Sequence, residues 1–134
     1  GMASSNKKAE SVAEVMGMFD FIIESSKAGI RKPNPKIYQM ACDEINIEPK
    51  DVVLIDDVLF TGRSIRSALT AIDTYGRPNS IELLVLVDRR FSRHLPIQPD
   101  YLGAQIDALQ GDKVKVVWSD SPLKNIVYLE KQNE

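Results

Sequence analysis

Two adjacent carboxylates, Asp56 and Asp57, close an apolar run at residues 52–55 and stand four residues before the sequence Thr61-Gly62-Arg63-Ser64. Carboxylates in this setting can hold sugar hydroxyls or Mg²⁺, a hard cation that takes oxygen ligands. A small-residue loop that opens a helix offers unpaired backbone N–H groups and the positive end of the helix dipole to an anion. Side by side, the two devices suit a phosphorylated sugar. An ordinary buried strand followed by a capped helix accounts for the apolar run, but not for the paired acids with Thr-Gly behind them.

The remaining chemistry-bearing residues form weaker patterns. His94 is the single histidine, and without a serine or cysteine nucleophile pattern nearby it reads as a loop-packing residue rather than a general base. Arg89, Arg90 and Arg93 follow Asp88 closely; such a group can bind phosphate or RNA, but is more often solvated. Cys42 falls in a helical pattern with no activating neighbour and reads as inert.

The elements that must position the acids can be read from periodicity. Residues 52–55 are apolar without alternation, the pattern of a strand buried on both faces and ending at the acids. A helix over residues 64–75 puts Ile65, Ala68, Leu69 and Ile72 on one side, and Gly76 and Pro78 stop it. Residues 81–87 repeat the buried-strand pattern and end at Asp88. Strand, helix and strand in this order form a right-handed parallel unit. Upstream, Val12, Val15 and Met16 give a helix over residues 9–18, and residues 19–23 (Phe-Asp-Phe-Ile-Ile) a short strand. Residues 29–33 read as a loop. Asn34 and Pro35 then start a helix whose buried face is Ile37, Tyr38, Ala41 and Ile45, ending before Pro49. Downstream come a loop over residues 91–100, a short strand over 101–106, and a hairpin of residues 114–118 and 126–129 turning at Asp120 and Pro122. Tyr38, Tyr75 and Trp118 fall at apolar positions and read as core. The expected fold is an α/β three-layer α/β/α sandwich with a mostly parallel sheet extended by a C-terminal β-hairpin.

Composition bounds the rest. A chain of 134 residues with 43% hydrophobic content is one domain, here residues 9–134, with residues 1–8 polar and beginning in a tag-like Gly-Met. A net charge of −2 provides no global field for nucleic acid. One cysteine excludes an internal disulfide and points to a reducing, cytoplasmic setting. No apolar run approaches the roughly 18 residues of a membrane span.

The run of acids, short apolar spacer and Thr-Gly-Arg-Ser resembles the phosphoribosyl-diphosphate (PRPP) motif of type I phosphoribosyltransferases. From about residue 51 onward the chain is similar to one subgroup, the pyrimidine-operon regulators that double as uracil phosphoribosyltransferases. The carrying residues are Tyr75-Gly-Arg-Pro78, Leu86-Val-Asp-Arg89, His94-Leu-Pro-Ile97 and Pro99-Asp-Tyr-Leu-Gly103. The resemblance implies that Asp56 and Asp57 hold ribose hydroxyls, that Thr61, Gly62, Arg63 and Ser64 hold the 5′-phosphate, and that Asp88 and Arg89 belong to a loop enclosing the base. Residues 10–57 resemble instead the haloacid dehalogenase-type phosphatases, through Lys32-Pro33, Pro35 and Ile37-Tyr38. That likeness implies a phosphoryl-stabilising Lys32 and Mg²⁺ at Asp56 and Asp57.

Each resemblance is partial. No two aspartates stand two apart, so the phosphatase nucleophile motif is absent, and the segment that carries the pyrophosphate loop of a phosphoribosyltransferase is replaced by the phosphatase-like piece. A chimera joined inside the shared Val-Val-Leu-Ile-Asp-Asp is the economical reading. The expected activity is binding of a ribose phosphate of PRPP type, with Mg²⁺ and without efficient turnover; the alternatives are a Mg²⁺-dependent phosphatase or a non-catalytic regulatory fold, with RNA the weaker partner. The strand at residues 52–55 needs neighbours that precede it, so either residues 19–23 pair with it or a homodimer fills the gap.

Overall fold

A computed structural model describes residues 13–14, 16–45, 50–119 and 124–132. The expected acidic and proline residues of the hairpin turn, Asp120 and Pro122, lie outside them, as do half of the expected first helix and Pro49. Among the described residues the elements are α1 (Ser25–Ala28), α2 (Pro35–Ile45), β1 (Asp51–Leu59), α3 (Arg63–Tyr75), β2 (Ser80–Arg90), β3 (Tyr101–Asp107), β4 (Lys113–Val117) and β5 (Ile126–Glu130).

The parallel α/β class is as expected. β1, β2 and β3 form one sheet in that order, both pairings parallel, with Val52 opposite Ile81, Leu54 opposite Leu83 and Val85 opposite Leu102. Leu59, Ile65, Leu83 and Val85 form the buried core, with Leu54, Leu69 and Ile97 against it. α3 contributes Ala68 and Ala71, small enough to seat the helix close to the sheet. α2 begins where Asn34 predicts, its Oδ1 accepting the Lys36 N–H at 3.0 Å. It packs along α3, tied by Tyr75 Oη to the Gln39 carbonyl at 3.5 Å and by Ser67 Oγ to the Pro33 carbonyl at 2.5 Å.

Several expectations need correction. β1 is not buried on both faces: Val53 is 54% and Ile55 70% exposed, while their neighbours Val52 and Leu54 are shielded. Among the described residues only the face turned to the helices is covered, so the strand alternates despite its unbroken apolar sequence. Nor does β1 stop at the acids, because Val58 and Leu59 continue the ladder opposite Val87 and Asp88. Residues 19–23 form no strand; they run unpaired into α1, a single turn closed by Gly29 at φ 67°. The C-terminal hairpin does not extend the sheet but forms a separate two-stranded antiparallel one, and Trp118 beside it is 66% exposed rather than core. A hairpin with half-exposed residues on both faces has no layer to dock on among the described residues.

The β2–β3 connection, residues 91–100, crosses without a helix. It ends where Asp100 takes the Leu83 N–H on its Oδ2 and gives its own N–H to the Leu83 carbonyl, each at 2.8 Å.

Candidate functional site

The acids sit in β1 two and three residues before its end. Successive strand residues face opposite sides, so Asp56 turns to the helix side, with its side chain 17% exposed, and Asp57 to the open side. Lys32 Nζ reaches Asp56 Oδ1 at 3.9 Å, which joins two residues that the sequence places 24 apart. Burial pushes the Asp56 carboxyl above its usual value; Lys32 opposes that shift and Asp57 adds to it. Asp57 accepts the Val58 N–H on Oδ1 at 2.8 Å. A cleft of about 690 Å³ opens beside both acids and Lys32, floored by Ile55, Leu84 and Leu86 and walled by Tyr101 and Trp118. Among the described residues no group of three or more histidine, cysteine, aspartate or glutamate side chains is arranged to hold a metal. The donor set for a divalent cation is therefore one carboxylate on each side of β1, to be completed by a ligand's own oxygens, as Mg²⁺ commonly is.

The loop behind the acids is shaped for close approach. Gly62 caps α3 in the left-handed region at φ 85°, and its carbonyl accepts the Arg66 N–H at 2.9 Å. A Cβ at this position would stand 3.4 Å from Ile97 Cδ1. Thr61 Oγ1 accepts the Arg63 N–H at 3.4 Å, and the Thr61 carbonyl accepts the His94 N–H at 3.1 Å. His94 thus acts through its backbone in loop packing. Arg93 holds the same loop from a second side: Nη1 donates to the Phe60 carbonyl at 2.8 Å while Nη2 pairs with Asp88 Oδ1.

Asp88 and Arg89 are not in a base-side loop. β2 runs through both, and they are 6% and 5% exposed. Asp88 also accepts from Gln105 Nε2 at 3.2 Å, and the Arg89 guanidinium lies 4.1 Å from the Phe60 ring centroid. Their work is to brace Phe60, the residue that leads into Thr61. The arginine group is not simply solvated either, since Arg90 makes a two-pronged pair with Asp107 at 2.5 and 2.8 Å. Periodicity could not reveal this bracing, because pairs such as Arg93–Asp88 depend on how the loop folds back. Tyr38 was also missed as a site neighbour. Burial chiefly, then Asp56, raises its hydroxyl pKa, and a hydrogen bond with the Ser64 side chain pulls the other way. α2 therefore carries a phenol to the edge of the phosphate-type loop, and its apolar-face position gave no sign of that.

Residues 8–119 match the phosphoribosyl transferase domain model, and the chain belongs to that family. It is 55% identical over 75 residues to a "Bifunctional protein PyrR" of Leuconostoc citreum, covering 56% of this chain and 42% of that one. A protein of the same name from Roseiflexus sp. is 38% identical over 114 residues, 84% of this chain and 61% of the relative. The chain thus spans about half the length of the curated relatives it matches. A hypoxanthine phosphoribosyltransferase of Staphylococcus aureus aligns with a TM-score of 0.41 at 34% identity, over 46% of this chain and 34% of that structure. The family match begins at residue 8 and so runs through the stretch that resembled a phosphatase; nothing in the comparisons supports a dehalogenase-type region or a chimera. No helix among the described residues is long and apolar enough to cross a membrane.

Proposed function

We propose that the chain binds a ribose phosphate of PRPP type at the end of β1. The observation that carries this reading is the sequence of parts along one short path: a half-shielded carboxylate, a second one exposed beside it, then a left-handed glycine that turns the chain into the N-terminus of α3. In this reading Asp56 and Asp57 engage ribose hydroxyls, directly or through Mg²⁺ shared with the ligand, and Thr61, Gly62, Arg63 and Ser64 hold the phosphate. Lys32 offsets the charge of Asp56 and offers a cation to a second phosphate group. The apolar cleft between Ile55 and Trp118 accommodates the remainder of the ligand. Binding without efficient turnover is the form we favour for the single chain, since among the described residues no positioned donors for a departing pyrophosphate accompany the loop. The same reading includes a homodimer, supported by the open edge and face of β1.

Calorimetric titration with ribose 5-phosphate, inorganic phosphate and PRPP, each with and without Mg²⁺, tests it. Saturation is expected for the ribose phosphates, tightened by Mg²⁺, with inorganic phosphate weaker because the two carboxylates repel a bare anion. Equal affinity for all three, or saturable binding that survives Asp57→Asn together with Arg63→Ala, would overturn the assignment. Efficient formation of a nucleotide from uracil and PRPP by the single chain would overturn the claim of incomplete catalysis alone.

A further inference from the structure

A single ammonium group stands in the cleft beside the acids. Among the described residues that line it, Lys32 carries the one positive charge, Asp56 and Asp57 are the only carboxylates, and the others are uncharged. Charges in such a setting are screened less than on an open surface. The backbone around Lys32 is fastened. The Pro33 carbonyl accepts the Ser67 hydroxyl at 2.5 Å, and the Arg31 carbonyl accepts the Asn34 N–H at 3.0 Å, closing a turn about the lysine. Ser67 lies in the second turn of α3, so the helix that follows the Thr61–Ser64 loop also locates Lys32. The side chain is not locked in the same way. Nζ stands 3.9 Å from Asp56 Oδ1, an ion pair longer than a hydrogen bond, and it makes no other ion pair among the described residues.

These charges do not cancel. Two carboxylates against one ammonium leave one negative charge, and at Asp56 burial outweighs the lysine in raising the carboxyl pKa. A divalent cation on the same acids turns that sum to one positive charge, with metal and ammonium side by side on one carboxylate. A phosphorylated ligand removes the conflict, because its oxygens serve both cations. We propose that Lys32 holds Asp56 in place of Mg²⁺ in the free chain and yields it when a phosphorylated ligand gives the ammonium a new partner. The lysine is then a tethered stand-in that keeps metal off the ligand-free acids and ties metal entry to ligand entry. Linkage makes the coupling reciprocal: the factor by which ligand tightens Mg²⁺ is the factor by which Mg²⁺ tightens ligand. This deepens the ribose phosphate reading and rests on it for the ligand; the exclusion of Mg²⁺ from the free chain rests on Lys32 and Asp56 alone.

Calorimetric titration of the full chain with Mg²⁺ alone, and with Mg²⁺ in saturating ribose 5-phosphate, tests this on wild type, Lys32→Met, Lys32→Arg and Lys36→Met. Methionine keeps much of the apolar stem without the charge. Lys36, exposed in the first turn of α2, controls for the loss of any nearby positive charge. Expected is Mg²⁺ binding to ligand-free Lys32→Met at least about fivefold tighter than to wild type, with Lys32→Arg and Lys36→Met close to wild type. The gain should vanish when Asp56→Asn is added to Lys32→Met. Ribose 5-phosphate should also tighten Mg²⁺ binding by a smaller factor in Lys32→Met than in wild type. Equal Mg²⁺ affinity of ligand-free wild type and Lys32→Met, a gain that Lys36→Met matches, or one that survives Asp56→Asn, would overturn the proposal. A chain that binds no ribose 5-phosphate would overturn the ligand assignment and the coupling, while the titration with Mg²⁺ alone still decides whether Lys32 excludes the metal.

Discussion

At the residue scale, the site sets carboxylates in surroundings that resist their charge. The folded-state pKa of Asp56 is raised, chiefly by burial, so the folded chain holds that proton more tightly than the unfolded chain does. Stability from this group is fully present below the ordinary aspartate pKa and is lost as pH rises through the raised one. Asp56→Asn should therefore raise the melting temperature at pH 7, by up to about a few degrees, with the gain shrinking as pH falls toward 4. It should also weaken ribose phosphate binding. Thermal melts of both proteins across pH 4–8 check the first part; a variant less stable at pH 7 would show that Asp56 is held by favourable contacts instead. Arg93 makes a contrasting case. Its removal leaves a buried Asp88 and the Phe60 carbonyl short of a donor, so Arg93→Gln should cost about 2–3 kcal/mol in urea unfolding. Arg90→Gln, which breaks a pair with Asp107 at the solvent-exposed surface, should leave the midpoint nearly unmoved.

At the scale of elements, the hinge of the site is Gly62. An alanine there must hold a left-handed backbone, at about 1–2 kcal/mol, while its Cβ would meet Ile97 and Leu95 at ordinary contact distance. Gly62→Ala should lower stability by that order and loosen ribose phosphate binding, as unfolding and titration on the same sample would show. The hairpin of β4 and β5 is held by its own ladder and by Lys115–Glu130, so its amides should exchange with solvent faster than those of β1 and β2. These elements differ in how readable they were. α3 and β2 announced themselves through periodicity, and the cap at Asn34 through residue type. β1 misled because an unbroken apolar run signals two covered faces, while in this sheet one face is open among the described residues. Residues 19–23 misled in the same way, since strand propensity does not supply a partner strand. The acids and the Thr-Gly loop were legible because their chemistry lies in residue type and spacing. The braces beneath them, Asp88, Arg89 and Arg93, were not, because they join residues that meet only after β2 and the following loop are in place.

At the scale of the whole molecule, one flank of β1 is uncovered and residues 19–23 are unpaired among the described residues. For the proposed homodimer, the melting temperature should rise with protein concentration, over the concentration range in which sedimentation shows monomer giving way to dimer. The layout of the sheet has a further consequence, one of timing. β3 is reached only through residues 91–100, which lie against Gly62 through Leu95 and Ile97 and are fastened to Thr61 by the His94 N–H. The third strand is thus threaded over the very loop proposed to take the phosphate, and it can join the sheet securely only once that loop has settled. A ligand that quiets residues 61–64 should slow the transient peeling of β3 from β2, seen as increased hydrogen-exchange protection at Ala104, which pairs with Val87 and does not line the cleft.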